Sequence, residues 1–270
     1  MRWWLLIAMN PLSRRHRFSP QWVLRLIGLV LCAGLVSCSI PPTQAGNSKP
    51  TDPELEAKVL QIIRNHPEVL LESVQAYQQK QAEQQQQAQK AVLQQIKSNP
   101  KAVIGNSPIT GAKDQKIVLL EFSDFQCPYC AKAHQTLKQF MTTHQNQVAL
   151  VYKHLPLTQI HPEAMSSAKA AWAAGQQGKF WEFHDALFEN QQKLGEPLYV
   201  ATAKALNLDL KRFDQDRNSQ AASLTIQKDV EMAEKLGVTG TPFVVMNDQV
   251  ISGGVQLDSL EAALKQVSKP

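Results

Sequence analysis

The chain has 270 residues, room for one sizeable domain with appendages, and a formal charge of +5. The excess is local: residues 1–37 hold Arg2, Arg14, Arg15, Arg17 and Arg25 and no acid, and the remainder balances 23 basic against 23 acidic side chains. A near-neutral body excludes nucleic acid as an electrostatic partner. Four cysteines, two of them within the first 38 residues, exclude a disulfide-stapled scaffold.

Arg14-Arg15-His16-Arg17 precedes an apolar run from Leu26 to Val36, which is short for a membrane span and the right length for the core of a secretory signal. The run ends at Leu35-Val36-Ser37-Cys38, which resembles a bacterial lipobox. That resemblance implies a lipoprotein signal peptide over 1–37, cleavage before Cys38 and a lipid anchor on it; an ordinary cleaved signal or an uncleaved anchor are the alternatives. The apolar Met1–Ala8 stretch before the basic cluster makes Met9 a second candidate start. Residues 38–51 are rich in proline and small polar residues, have no periodicity, and are expected to form a tether.

Asp52-Pro53-Glu54 has the form of a helix start, with Leu55, Val59, Ile62 and Ile63 on one face. Asn65-His66-Pro67 interrupts it, and a second helix places Leu70, Val74, Tyr77, Ala88 and Ala91 at heptad-like spacing through a glutamine-rich tract from Gln75 to Gln95. Residues 52–98 are therefore expected to form a helical stalk. It serves either homo-oligomerisation or, because Gln81 and Gln84 break the stripe, as a solvated spacer. Asn99-Pro100 ends the segment.

Residues 99–270 read as the working domain. The apolar run Ile117-Val118-Leu119-Leu120 predicts a buried strand over 117–122, and Ala131 to Met141 has helical periodicity. Between them lies Glu121-Phe122-Ser123-Asp124-Phe125-Gln126-Cys127-Pro128-Tyr129-Cys130. Pro128 suits the first helical turn, which places Cys127 at the N-cap, facing unpaired N–H groups and the positive end of the helix dipole. That position favours a thiolate, and Cys130 lies one turn further in, so the pair is read as a redox dithiol with an exposed Cys127 and a shielded Cys130. A zinc site is the competing reading. It would need two further ligands, and His134 on the same helix supplies at most one.

A second strand is predicted over Val148–Lys153, and then helices over Pro162–Gly175, Phe180–Asn190, Pro197–Leu206 and Ser219–Leu236. Trp172, Phe180, Trp181, Phe183 and Phe188 are expected in the core of this block, and His154 and His161 flank a loop with no assigned role. Pro242–Met246 and Gln249–Ser252 read as a hairpin around Asn247-Asp248, and Leu257–Val267 as a closing amphipathic helix.

The order strand–helix–strand, helical block, hairpin, helix, together with Phe-Ser-Asp-Phe-Gln-Cys-Pro-Tyr-Cys, His161-Pro162-Glu163-Ala164, the Gly178–Asp185 stretch and Gly237-Val238-Thr239-Gly240-Thr241-Pro242-Phe243, resembles the DsbA-like thiol:disulfide oxidoreductases. The resemblance implies an α/β thioredoxin fold with a helical insertion over about 161–236 and no cofactor. It implies extracytoplasmic, periplasmic-side work on unfolded or misoxidised exported proteins, and a membrane redox partner, either a quinone-linked oxidase or a reductase. It places a cis proline at Thr241-Pro242, where substrate would bind, and an acid at Glu121 that exchanges a proton with Cys130. Tyr129 departs from the histidine that strongly oxidising relatives carry between the cysteines. The stalk resembles the oligomerising N-terminal segment of relatives linked to copper tolerance. The alternative function is copper or other soft-metal handling through Cys127 and Cys130, with His134.

Overall fold

The computed structural model describes residues 52–252 and 254–269. The expected signal peptide, the tether and Cys38 lie outside them. The described chain divides into two compact units after Asn65. The first contains α1 (Pro53–Asn65), which buries none of its residues and displays Leu55, Val59, Leu60, Ile62 and Ile63. Among the described residues no helix is long and apolar enough to cross a membrane.

The second unit opens with α2 (Pro67–Ser98) and α3 (Pro100–Ile104). Its sheet has the order β1-β3-β2-β4-β5, built from β1 (Ile109–Gly111), β2 (Ile117–Ser123), β3 (Val148–His154), β4 (Phe243–Met246) and β5 (Gln249–Ile251). Only β2 and β3 run parallel, and α4 (Pro128–His144) is their crossover. Both central strands are buried along their whole length, which is why they read as continuous apolar runs.

Alternation along β2 divides the core. Val118, Leu120 and Phe122 pack with Val92 and Ile96 of α2 and with Ala233 and Leu236 at the end of α9 (Gln220–Lys235). Ile117 and Leu119 pack with Leu137, Phe140 and Met141 of α4 and with Leu260 and Leu264 of α10 (Leu257–Val267). A third cluster joins the active loop to the helical block, made of α5 (Ala164–Gly175), α6 (Phe180–Glu189), a 3-10 turn at Gln191–Lys193, α7 (Glu196–Ala205) and α8 (Leu210–Arg217). Ala170, Ala171, Ala173 and Ala174 let α5 pack closely there, and Phe180, Phe183 and Phe188 fill the space as expected.

Three features depart from the sequence reading. The three-residue edge strand β1 is too short to show a period, and it depends on Gly111, whose φ is +92° and whose added Cβ would stand 2.3 Å from the Val148 carbonyl oxygen. Helix α8 is nearly all polar and buries only Phe213, so it has no apolar stripe to read. The glutamine tract is not uniformly solvated. Gln85 Nε2 donates to the carbonyls of Glu234 (3.0 Å) and Lys235 (3.2 Å), and Gln89 Nε2 donates to that of Leu236 (2.8 Å). Those of Lys235 and Leu236 are carbonyls a helix C-terminus leaves unpaired, while that of Glu234 also accepts from the Gly237 N–H (2.9 Å). The packed domain thus begins inside α2, while Val69, Leu70, Leu71, Val74 and Tyr77 at its other end stay exposed.

Candidate active site

Cys127 is the N-cap of α4, with φ −72° and ψ 121°, and Pro128 occupies the first helical position. The Cys127 N–H donates to the Asp124 carbonyl (3.1 Å), and the N–H groups of Cys130 and Ala131 donate to the Cys127 carbonyl (3.0 and 3.2 Å). These bonds fold the loop so that both sulfurs lie on the first turn.

The Thr241–Pro242 peptide is cis. Pairing of Phe243 with Phe122 brings Thr241 to the active loop, and the Cys127 thiol donates to the Thr241 carbonyl at 3.4 Å. Cys127 was expected to be exposed; it is 4% exposed, and Cys130 is 0% exposed. The order of the two is unchanged: what little access exists is to Cys127.

Electrostatics separates the pair further. The Cys127 pKa falls from 9.0 to about 5, chiefly because the Cys130 thiol hydrogen-bonds to it, with smaller help from the Thr241 hydroxyl and the N–H groups of Cys130 and Tyr129; burial opposes the fall. The Cys130 thiol is pushed up, first by burial and then because it is the donor to its partner. The Asp124 N–H contacts the Cys130 sulfur at 3.5 Å.

Beneath α4 the sheet presents a polar floor. Glu121, Ser123, Tyr152 and His154 share one face of β2 and β3, all buried. Glu121 Oε1, Ser123 Oγ, Tyr152 OH and both His154 ring nitrogens have no hydrogen-bond partner. Burial raises the Glu121 pKa from 4.5 to about 7 and depresses that of His154 from 6.5 to about 3. Glu121 is therefore an acid able to hold or release a proton near neutrality.

Asp124 ties the loop before Cys127 to the segment after β3. Its Oδ1 accepts from the Gln126 N–H (2.8 Å), while Oδ2 accepts from the Leu157 N–H (2.9 Å) and pairs with His161 Nδ1 (2.7 Å). Gln191, absent from the sequence reading, donates to the carbonyls of Phe125 (2.8 Å) and Cys127 (2.9 Å). No local pattern marks it, because it lies 64 residues from the cysteine it supports.

The expected third metal ligand is elsewhere. His134 stacks on Phe188 and meets His184 and Asp185, and among the described residues no group of three ligating side chains includes the two cysteines. Two sulfurs without a third ligand make a poor zinc site.

Comparison with known proteins agrees with this geometry. The DSBA-like thioredoxin domain profile matches residues 118–265, more than half of the chain, and that of the copper resistance protein ScsC N-terminal domain matches residues 62–84. A thioredoxin-like oxidoreductase from Silicibacter pomeroyi DSS-3 superposes with a TM-score of 0.59 at 30% identity, over 64% of this chain and 99% of that one. ScsC of Proteus mirabilis in a compact conformation gives 0.58 at 28% identity, over 81% of this chain and 100% of that one. A Na(+)/H(+) antiporter NhaA 1 of Salinispora arenicola is 36% identical over 156 residues, 58% of this chain; the chain spans about a quarter (24%) of that curated relative's length. From the profile match and the oxidoreductase similarity, the chain belongs to the DsbA-like thioredoxin-domain family of thiol–disulfide oxidoreductases.

Proposed function

We propose that this protein exchanges disulfides with exported proteins outside the cytosol, using Cys127 as the attacked and attacking sulfur and Cys130 as the resolving one. The single observation that carries the reading is the asymmetry of the pair: the outer sulfur, 4% exposed at a helix N-cap, is acidified, and the fully buried one is suppressed. In the oxidising direction a client thiolate attacks the Cys127 sulfur, the Cys127–Cys130 bond breaks, and Cys130 leaves and takes a proton, with Glu121 as its source. A second client thiolate then attacks the client sulfur of the mixed disulfide and releases Cys127 as a thiolate. Two electrons pass from client to enzyme, and the reverse sequence reduces or isomerises. The Thr241 backbone beside Cys127 gives an extended client a strand edge to pair with.

A lipid on Cys38 would hold the domain at the membrane, within reach of a quinone-linked oxidase or a reductase. The exposed apolar side chains of α1, and separately those at the start of α2, support self-association through 52–98, as does the match of 62–84 to the ScsC N-terminal domain. Copper or other soft-metal handling by the cysteines is the second reading; among the described residues no group of three ligating side chains includes them.

The test is a Cys130→Ser variant of the full chain produced in a bacterial periplasm. The expected result is a set of reductant-sensitive adducts through Cys127 on non-reducing gels, lost when Cys127→Ala is added. Absence of adducts, with the pair also inert to a small disulfide, would sink the assignment. Thiol trapping of the unsubstituted protein in intact cells then gives direction: an oxidised pair marks an oxidase, a reduced pair an isomerase or reductase.

A further inference from the structure

Behind the active helix lies a cavity of about 250 Å³ that neither cysteine lines. It runs from the partly exposed Lys138 and Asp185 to the buried Glu121, and is lined further by His134, Trp181 and His184. His134 comes from α4; His184 and Asp185 are adjacent on α6. Their imidazole rings stand 5.1 Å apart, centre to centre, at 76°. His184 Nδ1 lies 2.9 Å from Asp185 Oδ1, and His134 Nε2 lies 3.8 Å from the same oxygen. A zinc-type cation with bonds of about 2.0–2.1 Å in tetrahedral geometry keeps its ligand atoms roughly 3.3 Å apart. The two distances to Asp185 bracket that spacing, and all three ligand atoms lie within 4.8 Å of one another, so side-chain adjustment of about an ångström would close them round an ion. Two residues that line this cavity carry buried atoms without a hydrogen-bond partner, His184 Nε2 and Glu121 Oε1.

We propose that His134, His184 and Asp185 form a binding site for a single divalent cation of the zinc class, separate from the Cys127–Cys130 pair. Two imidazoles and one carboxylate are a donor set that suits zinc, and the cavity leaves room for water to complete the shell. Ligation through Nδ1 moves the His184 proton to Nε2, which has no partner to lose. Lys138 is the competitor. Its Nζ lies 3.0 Å from Asp185 Oδ2 and 3.6 Å from Glu189 Oε1, and it neutralises the carboxylate that the ion needs. It sits on the opposite carboxylate oxygen from the one facing the imidazoles, on an exposed and flexible stem. The site stands or falls independently of the redox reading, since no cysteine takes part.

The test is calorimetric titration of zinc chloride into the untagged full chain with all four cysteines changed to alanine. The expected result is one equivalent bound, weakened at least about tenfold, the least that loss of a supporting partner costs, by Asp185→Asn and by His134→Gln, tightened by Lys138→Gln, and unaffected by His66→Gln. Imidazole resonances of the cysteine-free parent provide a second reading that needs no substitution in the site: zinc should shift those of His134 and His184 first. No saturable binding, binding that survives both ligand substitutions in folded protein, or shifts confined to other histidines would overturn the proposal.

Discussion

The outer and inner sides of the first turn of α4 carry the same chemical group in opposite states. On the outer side, Cys127 accepts from the Cys130 thiol, with smaller help from a hydroxyl and helix N–H groups, and its thiol is acidified. On the inner side, Cys130 faces a sheet whose buried acid, phenol and imidazole hold no charge easily, and its thiol is suppressed. Three residues of separation thus divide an acidified thiol from a suppressed one. The difference comes from how each sulfur is solvated and hydrogen-bonded, since sequence distance alone would make them equal.

The largest expected effect is kinetic. Alkylation of the reduced protein should proceed at Cys127 with a midpoint near pH 5 and leave Cys130 unmodified in the folded state. At pH 7 the thiolate fraction at Cys127 is about a hundredfold above that of an unperturbed thiol. Peptide mapping after a pH series of iodoacetamide pulses checks this. Equal labelling of both sulfurs would erase the distinction.

Glu121→Gln probes the inner side. The folded pKa is raised from 4.5 to about 7, so the folded state binds the proton more tightly than the unfolded one. The native carboxyl therefore costs nothing below about pH 4.5; its penalty grows as pH rises and is complete above pH 7, at roughly 3 kcal/mol. The variant should match the parent at pH 4 in denaturant unfolding and exceed it at pH 8, while its release of mixed disulfides slows. A stability difference between variant and parent that is the same at both pH values would mean the acid is already solvated. Gln191→Ala removes the two hydrogen bonds that hold the active loop from behind and should cost about 1 kcal/mol, with little change in the Cys127 midpoint. Thr241→Val keeps the carbonyl and removes one minor donor, so the Cys127 midpoint should rise by less than about one pH unit with stability unchanged. A larger rise would make the hydroxyl, rather than Cys130, the main stabiliser of the thiolate.

Much of the fold was legible because the signals are local. Continuous apolar runs marked β2 and β3, and Ser219 before a periodic stretch marked the start of α9, where its hydroxyl caps the Ala222 N–H at 3.1 Å. Pro128 after Cys127 placed the dithiol on a helix N-terminus. What escaped lacks a local signature. Gln191, the Asp124–His161 pair and the docking of Gln85 and Gln89 on α9 join residues 37 to 150 positions apart. His134 was read towards the cysteines because they share its helix, whereas the packing of α4 on α6 points it at His184 and Asp185.

By itself the order of residues determined that two cysteines one helical turn apart would cap a helix leaving a buried strand, since capping and periodicity act over a few residues. Only the tertiary structure decided how deeply each sulfur lies, which acid sits beneath them and what His134 faces. Burial and long-range hydrogen bonding depend on surfaces that meet after the whole chain has folded.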